Sequence, residues 1–171
     1  FRVLLPLLLL SAGAGRAITL RIACKATPRK GLFFVGPDSR HPAQPAQIWS
    51  QGEPEDNHYW FPCYDFPNDR ATSEMFATVN DRFTAIGNGA LLGVKRNPKL
   101  HKATFHYLES RPYASYLVSV VAGEYVEVRD SSGGVPILTY VQKSERADAG
   151  VCFGKTSRML DFFARKIGYP Y

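Results

Sequence analysis

Residues 51–65 read QGEPEDNHYWFPCYD, the densest chemistry in a chain of 171 residues. Glu53, Glu55, Asp56 and Asp65 supply carboxylates, and Tyr59, Trp60 and Phe61 supply three consecutive aromatic rings. Carboxylates in such a stretch can pair with a cation, hold a hard metal ion or brace a turn. Calcium is one such ion, and Glu53, Glu55, Asp56, Asp65 and Asp69 are oxygen donors of the right kind. They lack the regular spacing of a calcium loop, so calcium is not the expected ligand.

The remaining reactive residue types do not assemble into a motif. No H-E-x-x-H occurs. His101 and His106 lie five apart in a strand pattern, which does not place two ligands on one helix face. His41 and His58 have no partner at ligand spacing. No G-x-S-x-G occurs, and no glycine-rich loop runs from a strand into a helix. Cys24, Cys63 and Cys152 are odd in number and widely spaced, so the expectation is free, buried thiols and not a disulfide framework. The formal charge is +6, but Lys and Arg are scattered in short clusters beside turns. Nucleic acid is therefore not an expected partner.

The elements that must position the acidic loop are mostly strands. Ile18, Leu20, Ile22 and Cys24 alternate with polar residues, the period of a half-buried strand. The preceding FRVLLPLLLLSAGAGRA has the outline of a secretory signal. Phe1, Pro6 and the alternation after it favour a strand, with Gly13 and Gly15 as a hairpin link. The apolar run is too short to span a bilayer, so no transmembrane segment is expected, and cytoplasmic and secreted locations both stay open. Further strand patterns occupy 31–36, 73–79, 103–110, 114–130 and 135–141. Asn88-Gly89 predicts a hairpin, Gly123 a bulge or kink, and SSGG at 131–134 a turn. At the end of the chain the period changes. Met159, Phe162, Phe163 and Ile167 recur at helical steps, with Thr156 or Ser157 as cap and Gly168 as stop. Fold class is therefore all-β, an antiparallel sandwich with one C-terminal helix. The apolar face of that helix is broad for a terminal element. We place a domain break near 145–153, giving a β domain over 1–148 and the start of a second domain over 149–171.

On composition and spacing alone, this is a β domain with an acidic-aromatic loop of unassigned purpose. GLFFVGPD, then QIWSQGEPEDNHYWFPCYDFPNDRATSEM, then RPYASYLVSVVAGEY resemble, in order, the N-terminal domain of the aminopeptidase N family of zinc metallopeptidases. The resemblance covers essentially the whole chain. It implies a saddle-shaped β domain preceding a thermolysin-like catalytic domain, and a parent enzyme that removes N-terminal residues from peptides. By its Gln-x-Glu motif it implies that Glu53 binds the substrate's free α-ammonium and that Gln51 lines the pocket for the first side chain. The partners it implies are peptides with a free N-terminus and the chain's own catalytic domain. Zinc would be bound by that domain, whose ligand motif is not in this sequence, so the fragment alone is expected to be inactive. Tyr59, Trp60 and Phe61 are expected to pack in the core or at a domain seam, Cys63 to be inert, and Asp65 to brace a turn by pairing with Arg70. The alternative is a stand-alone β-sandwich interaction module without peptidase chemistry.

Overall fold

The computed structural model describes residues 2–4 and 19–171. The chain divides into two compact units, one formed by residues 1–81 and 85–122, the other by 82–84 and 123–171.

In the first unit, β1 (Arg2–Leu4) pairs antiparallel with β2 (Ala23–Lys25), Val3 opposite Cys24. The expected strand is shorter than its alternation, although Ile22 and Cys24 are half-buried while Arg21 and Lys25 are exposed. Gly13, Gly15 and the proposed hairpin link lie outside the described residues. β3 (Leu32–Val35) and β4 (Gln47–Ser50) are antiparallel. They form a four-stranded sheet with β6 (Thr84–Gly87) and β9 (Val120–Gly123), in the order β3-β4-β9-β6. A three-stranded antiparallel sheet has β8 (Lys102–Tyr113) between β5 (Ala71–Asn80) and β7 (Ala90–Asn97).

Period-two patterning explains the layering. Met75, Ala77 and Val79 of β5 turn inward, as do Ala103, Phe105 and Tyr107 of β8. The core cluster joins Leu32, Trp60 and Val120 with Ile48, Phe61, Met75 and Val118, so both sheets feed one interior. Burying a side chain of this size contributes about 1.5–3 kcal/mol. Tyr107 adds a polar tie, its hydroxyl donating to the Ala85 carbonyl at 3.1 Å.

Asn88-Gly89 does turn the chain, but not into a hairpin. The strands on either side belong to different sheets, β6 beside β9 and β7 beside β8. The Asn88 side chain bonds outward, donating to Leu117 O at 2.9 Å and accepting the Ser119 N–H at 2.7 Å. Gly89, at φ +80°, lies against the backbone of Leu108. The turn is a corner between sheets. A second difference concerns 114–119, read as strand: Ser115–Leu117 form a 3-10 turn.

In the second unit, β10 (Tyr125–Ser132) and β11 (Val135–Gln142) form an antiparallel hairpin closed at Gly133-Gly134, both with positive φ, as the SSGG stretch predicts. The long strand expected across 114–130 is thus broken at Gly123, where a Cβ would lie 2.9 Å from the Tyr125 ring. A short helix α1 (Ala149–Phe153) precedes α2 (Thr156–Ile167). Gly168 ends α2 in the left-handed region, as expected. The expected cap is not made: Lys155 holds the N-cap position, and the Thr156 hydroxyl donates instead to Phe153 O at 2.7 Å. Ser132 of β10 ties down α2, donating to the Asp161 carboxylate and, at 3.2 Å, to Ser157 O. Met159, Phe162, Phe163 and Ile167 stay about half exposed or more. The architecture is all-β and sandwich-like, with its helical part at the C-terminal end. Among the described residues no helix is long and apolar enough to cross a membrane.

Candidate functional site

β4 ends at Ser50, and the chain enters the loop through Gln51, whose N–H donates to Gly31 O at 2.9 Å. Gly31 can take part because it is glycine. At φ +76° it lies against the backbone of Asp56, and a Cβ there would overlap the Asp56 carbonyl. Residues 53–56 then form a tight turn closed by Asp56 N–H to Gly52 O at 2.8 Å. A 3-10 turn, Asn57–Tyr59, follows directly.

Exposure alternates sharply along the loop. Gln51, Glu53, Pro54 and Glu55 are exposed, Gly52 and Asn57 are buried, and Asp56 is intermediate. The two residues singled out by the Gln-x-Glu motif, Gln51 and Glu53, are thus both presented to solvent from the same loop. They flank a glycine that cannot accept a side chain, since a Cβ on Gly52 would stand 2.5 Å from Tyr116 O. Among the described residues no hydrogen bond or ion pair engages the Glu53 carboxylate. Asp56 differs, standing 3.9 Å from Lys30 Nζ.

Beneath the loop lies a polar staple. Asn57 is 0 % exposed. Its Nδ2 donates to Ser115 O at 2.5 Å and to Val118 O at 3.1 Å, and its Oδ1 accepts the Trp60 Nε1–H at 2.8 Å. Three amide valences are therefore used in a fully buried position, which a packed interior requires of any polar group. Asp65, 6 % exposed, closes the other side. It accepts the Ser115 hydroxyl at 2.6 Å and the His58 N–H at 2.9 Å, with His58 Nδ1 at 3.1 Å. Burial pushes the Asp65 pKa up, but the hydrogen bonds from Ser115 and His58 outweigh it and hold the carboxyl below its ordinary value. The expected partner Arg70 is not the one used. Arg70 is exposed and its backbone N–H donates to the Asp69 carboxylate, while the buried Asp65 carboxylate takes its bonds from Ser115 and His58.

Of the three consecutive aromatics, Trp60 is buried, Phe61 half-buried and edge-on to Trp60, and Tyr59 exposed, 5.6 Å beneath the Lys30 ammonium. Cys63 is half-buried, and burial, helped by the Asp65 charge, raises its thiol to about 11. Cys24 is also half-buried, but Cys152 is exposed, which corrects the expectation of three buried thiols. Each of the four histidines lies beside one acid: His41 by Asp38, His58 by Asp65, His101 by Asp81 and His106 by Glu74. Among the described residues no three His, Cys, Asp or Glu side chains group into a site able to hold a metal ion. Of the loop acids, Asp56 stands by Lys30 and Asp65 by Ser115 and His58, while Glu53 and Glu55 are exposed.

Sequence reasoning missed Asn57, Gly52 and Ser115. The missed signal is the placement of Asn57 between two acids and three aromatics: an uncharged amide at that point can enter the core with the rings, where a carboxylate would not.

The all-β fold is the one that the resemblance of the motifs implies. A family model, the Peptidase M1 N-terminal domain, matches residues 11–117, and the chain belongs to that family. Similar proteins include glutamyl aminopeptidase of Rattus norvegicus, 30% identical over 124 residues, 70% of this chain and 13% of the relative. Aminopeptidase M1 of Arabidopsis thaliana is 29% identical over 123 residues, 71% of this chain and 14% of the relative. Transcription initiation factor TFIID subunit 2 of Gallus gallus is 30% identical over 100 residues, 57% of this chain and 9% of the relative. The chain thus spans a small part of the length of each relative.

Proposed function

We propose that this chain is the substrate-recognition domain of a zinc aminopeptidase, with Glu53 measuring out the free N-terminus of a peptide. The observation that carries the reading is the exposed, internally unengaged Glu53 carboxylate on a loop fastened at both ends. A peptide α-amine has a pKa of about 7.7–8.0 and is largely cationic at neutral pH. A fixed carboxylate gives it a charge-assisted hydrogen bond, about 1.5–3 kcal/mol where water is excluded and less where it is not. Glu53 would set which bond reaches the reaction centre, and Gln51 would line the pocket for the first side chain. The bond-breaking groups and the zinc belong to the catalytic domain of the full-length protein, of which 149–171 would be the start. Among the described residues of this chain no group of side chains could hold a metal ion.

A second reading is an interaction domain without peptidase chemistry, favoured by the similarity to a transcription initiation factor subunit. One experiment separates the two. In the full-length protein, aminoacyl anilides are cleaved under the first reading, and Glu53→Gln lowers kcat/KM by about 10- to 100-fold. Wild-type protein that cleaves no such substrate supports the second reading. Cleavage that Glu53→Gln leaves unchanged removes the assigned role of Glu53.

A further inference from the structure

We propose that Asn57 is the positioning residue for the Glu53 carboxylate, holding the loop at the height where that acid can meet a peptide amine. The inference rests on the Glu53 reading and goes beyond it. Asn57 does not touch the substrate. It acts through Gly52, the residue immediately before Glu53, and through the turn at 115–118.

The geometry supports this in three ways. First, Asn57 is the largest side chain that is fully buried among the described residues, and its amide nitrogen donates only to partners far away in sequence, the carbonyls of Ser115 and Val118, while its oxygen accepts from the nearby Trp60 ring. Second, Gly52 lies directly on that amide and on Tyr116 O, with no space for a Cβ. Asn57 and Gly52 are thus in direct contact, and Gly52 is joined to Glu53. Third, the loop is short. Asp56 N–H closes back onto Gly52 O, and the N–H groups of Trp60 and Phe61 both reach Asn57 O, at 3.1 and 3.2 Å. Both stems of the turn carrying Glu53 thus converge on one residue. A buried amide of this kind specifies one arrangement, since any other leaves its donors or the two carbonyls without partners.

Asn57→Asp keeps the shape but replaces the donor by an oxygen that repels the Ser115 and Val118 carbonyls. Asn57→Ser is smaller and uncharged, and serves if the aspartate variant does not fold. The readout is the ratio of competitive inhibition constants for alaninamide and propionamide, which differ only in the α-amine, measured on the full-length protein. A role limited to stability weakens both ligands alike and leaves the ratio unchanged. A positioning role reduces the preference for alaninamide by about 10- to 100-fold, as displaced but intact groups do. The effect should vanish in a Glu53→Gln background, because the two substitutions remove one interaction. If Glu53→Gln abolishes the preference and neither Asn57 variant alters it, the positioning role is wrong and the Glu53 reading stands. If Glu53→Gln itself leaves the preference intact, both fall.

Discussion

Asp65 offers the sharpest test of the staple, because its contribution can be worked out bond by bond. Replacing it by alanine strands the Ser115 hydroxyl and the His58 N–H, both partly buried. A hydrogen bond to an ionised group contributes about 1.5–3 kcal/mol. The His58 ring is nearly half exposed, so water takes over much of that contact and it counts for little. Two bonds therefore matter. Against them stands the desolvation of the carboxylate, which the substitution relieves. The expected net loss is about 2–4 kcal/mol. Native-state hydrogen exchange of the full-length protein reads this locally, at the Trp60 and Phe61 amides that bond to Asn57 O. Their opening free energy should fall by that amount, and Asp65→Asn should fall between wild type and alanine. The pH dependence has a definite sign. The folded pKa lies below the ordinary carboxylate value, so the stabilisation is fully present above that value. It is lost as pH falls through the lower folded pKa, and Asp65→Ala should remove this acid-side slope. A change in opening free energy under about 0.5 kcal/mol would refute the idea that Asp65 fastens the loop.

Two further outcomes follow from the same geometry. Gly52→Ala forces a Cβ to 2.5 Å from Tyr116 O, so the loop must shift; we expect a loss of about 1–3 kcal/mol and faster exchange at the Asp56 amide. An unchanged Asp56 amide would show that the glycine is not needed. With its thiol near 11, Cys63 is about one part in a thousand thiolate at pH 8. Peptide mapping after brief alkylation should show Cys152, which is exposed, modified well before Cys63; equal rates would contradict the protected environment drawn for Cys63.

The one-dimensional pattern determined the periodic features. Alternation in 73–79 and 103–110, the positive-φ pair at Gly133-Gly134 and the helical spacing ending at Gly168 are local properties, and each shows in the folded chain. The order of motifs also determined the family, because Gln51, Glu53 and the Pro62–Asp65 stretch are read without coordinates. Sheet membership was not legible. Asn88-Gly89 has hairpin chemistry in any sequence window. Only the long-range bonds from Asn88 to Leu117 and Ser119 make it a corner between sheets. The same holds for the acidic loop. Composition placed Glu53 in a loop and Asp65 beside Arg70, but the turn that fastens the loop lies some fifty residues downstream at Ser115. The burial of Asn57 is likewise decided by tertiary packing. Burial and hydrogen-bond partners depend on chain segments distant in sequence, and only folding brings these together.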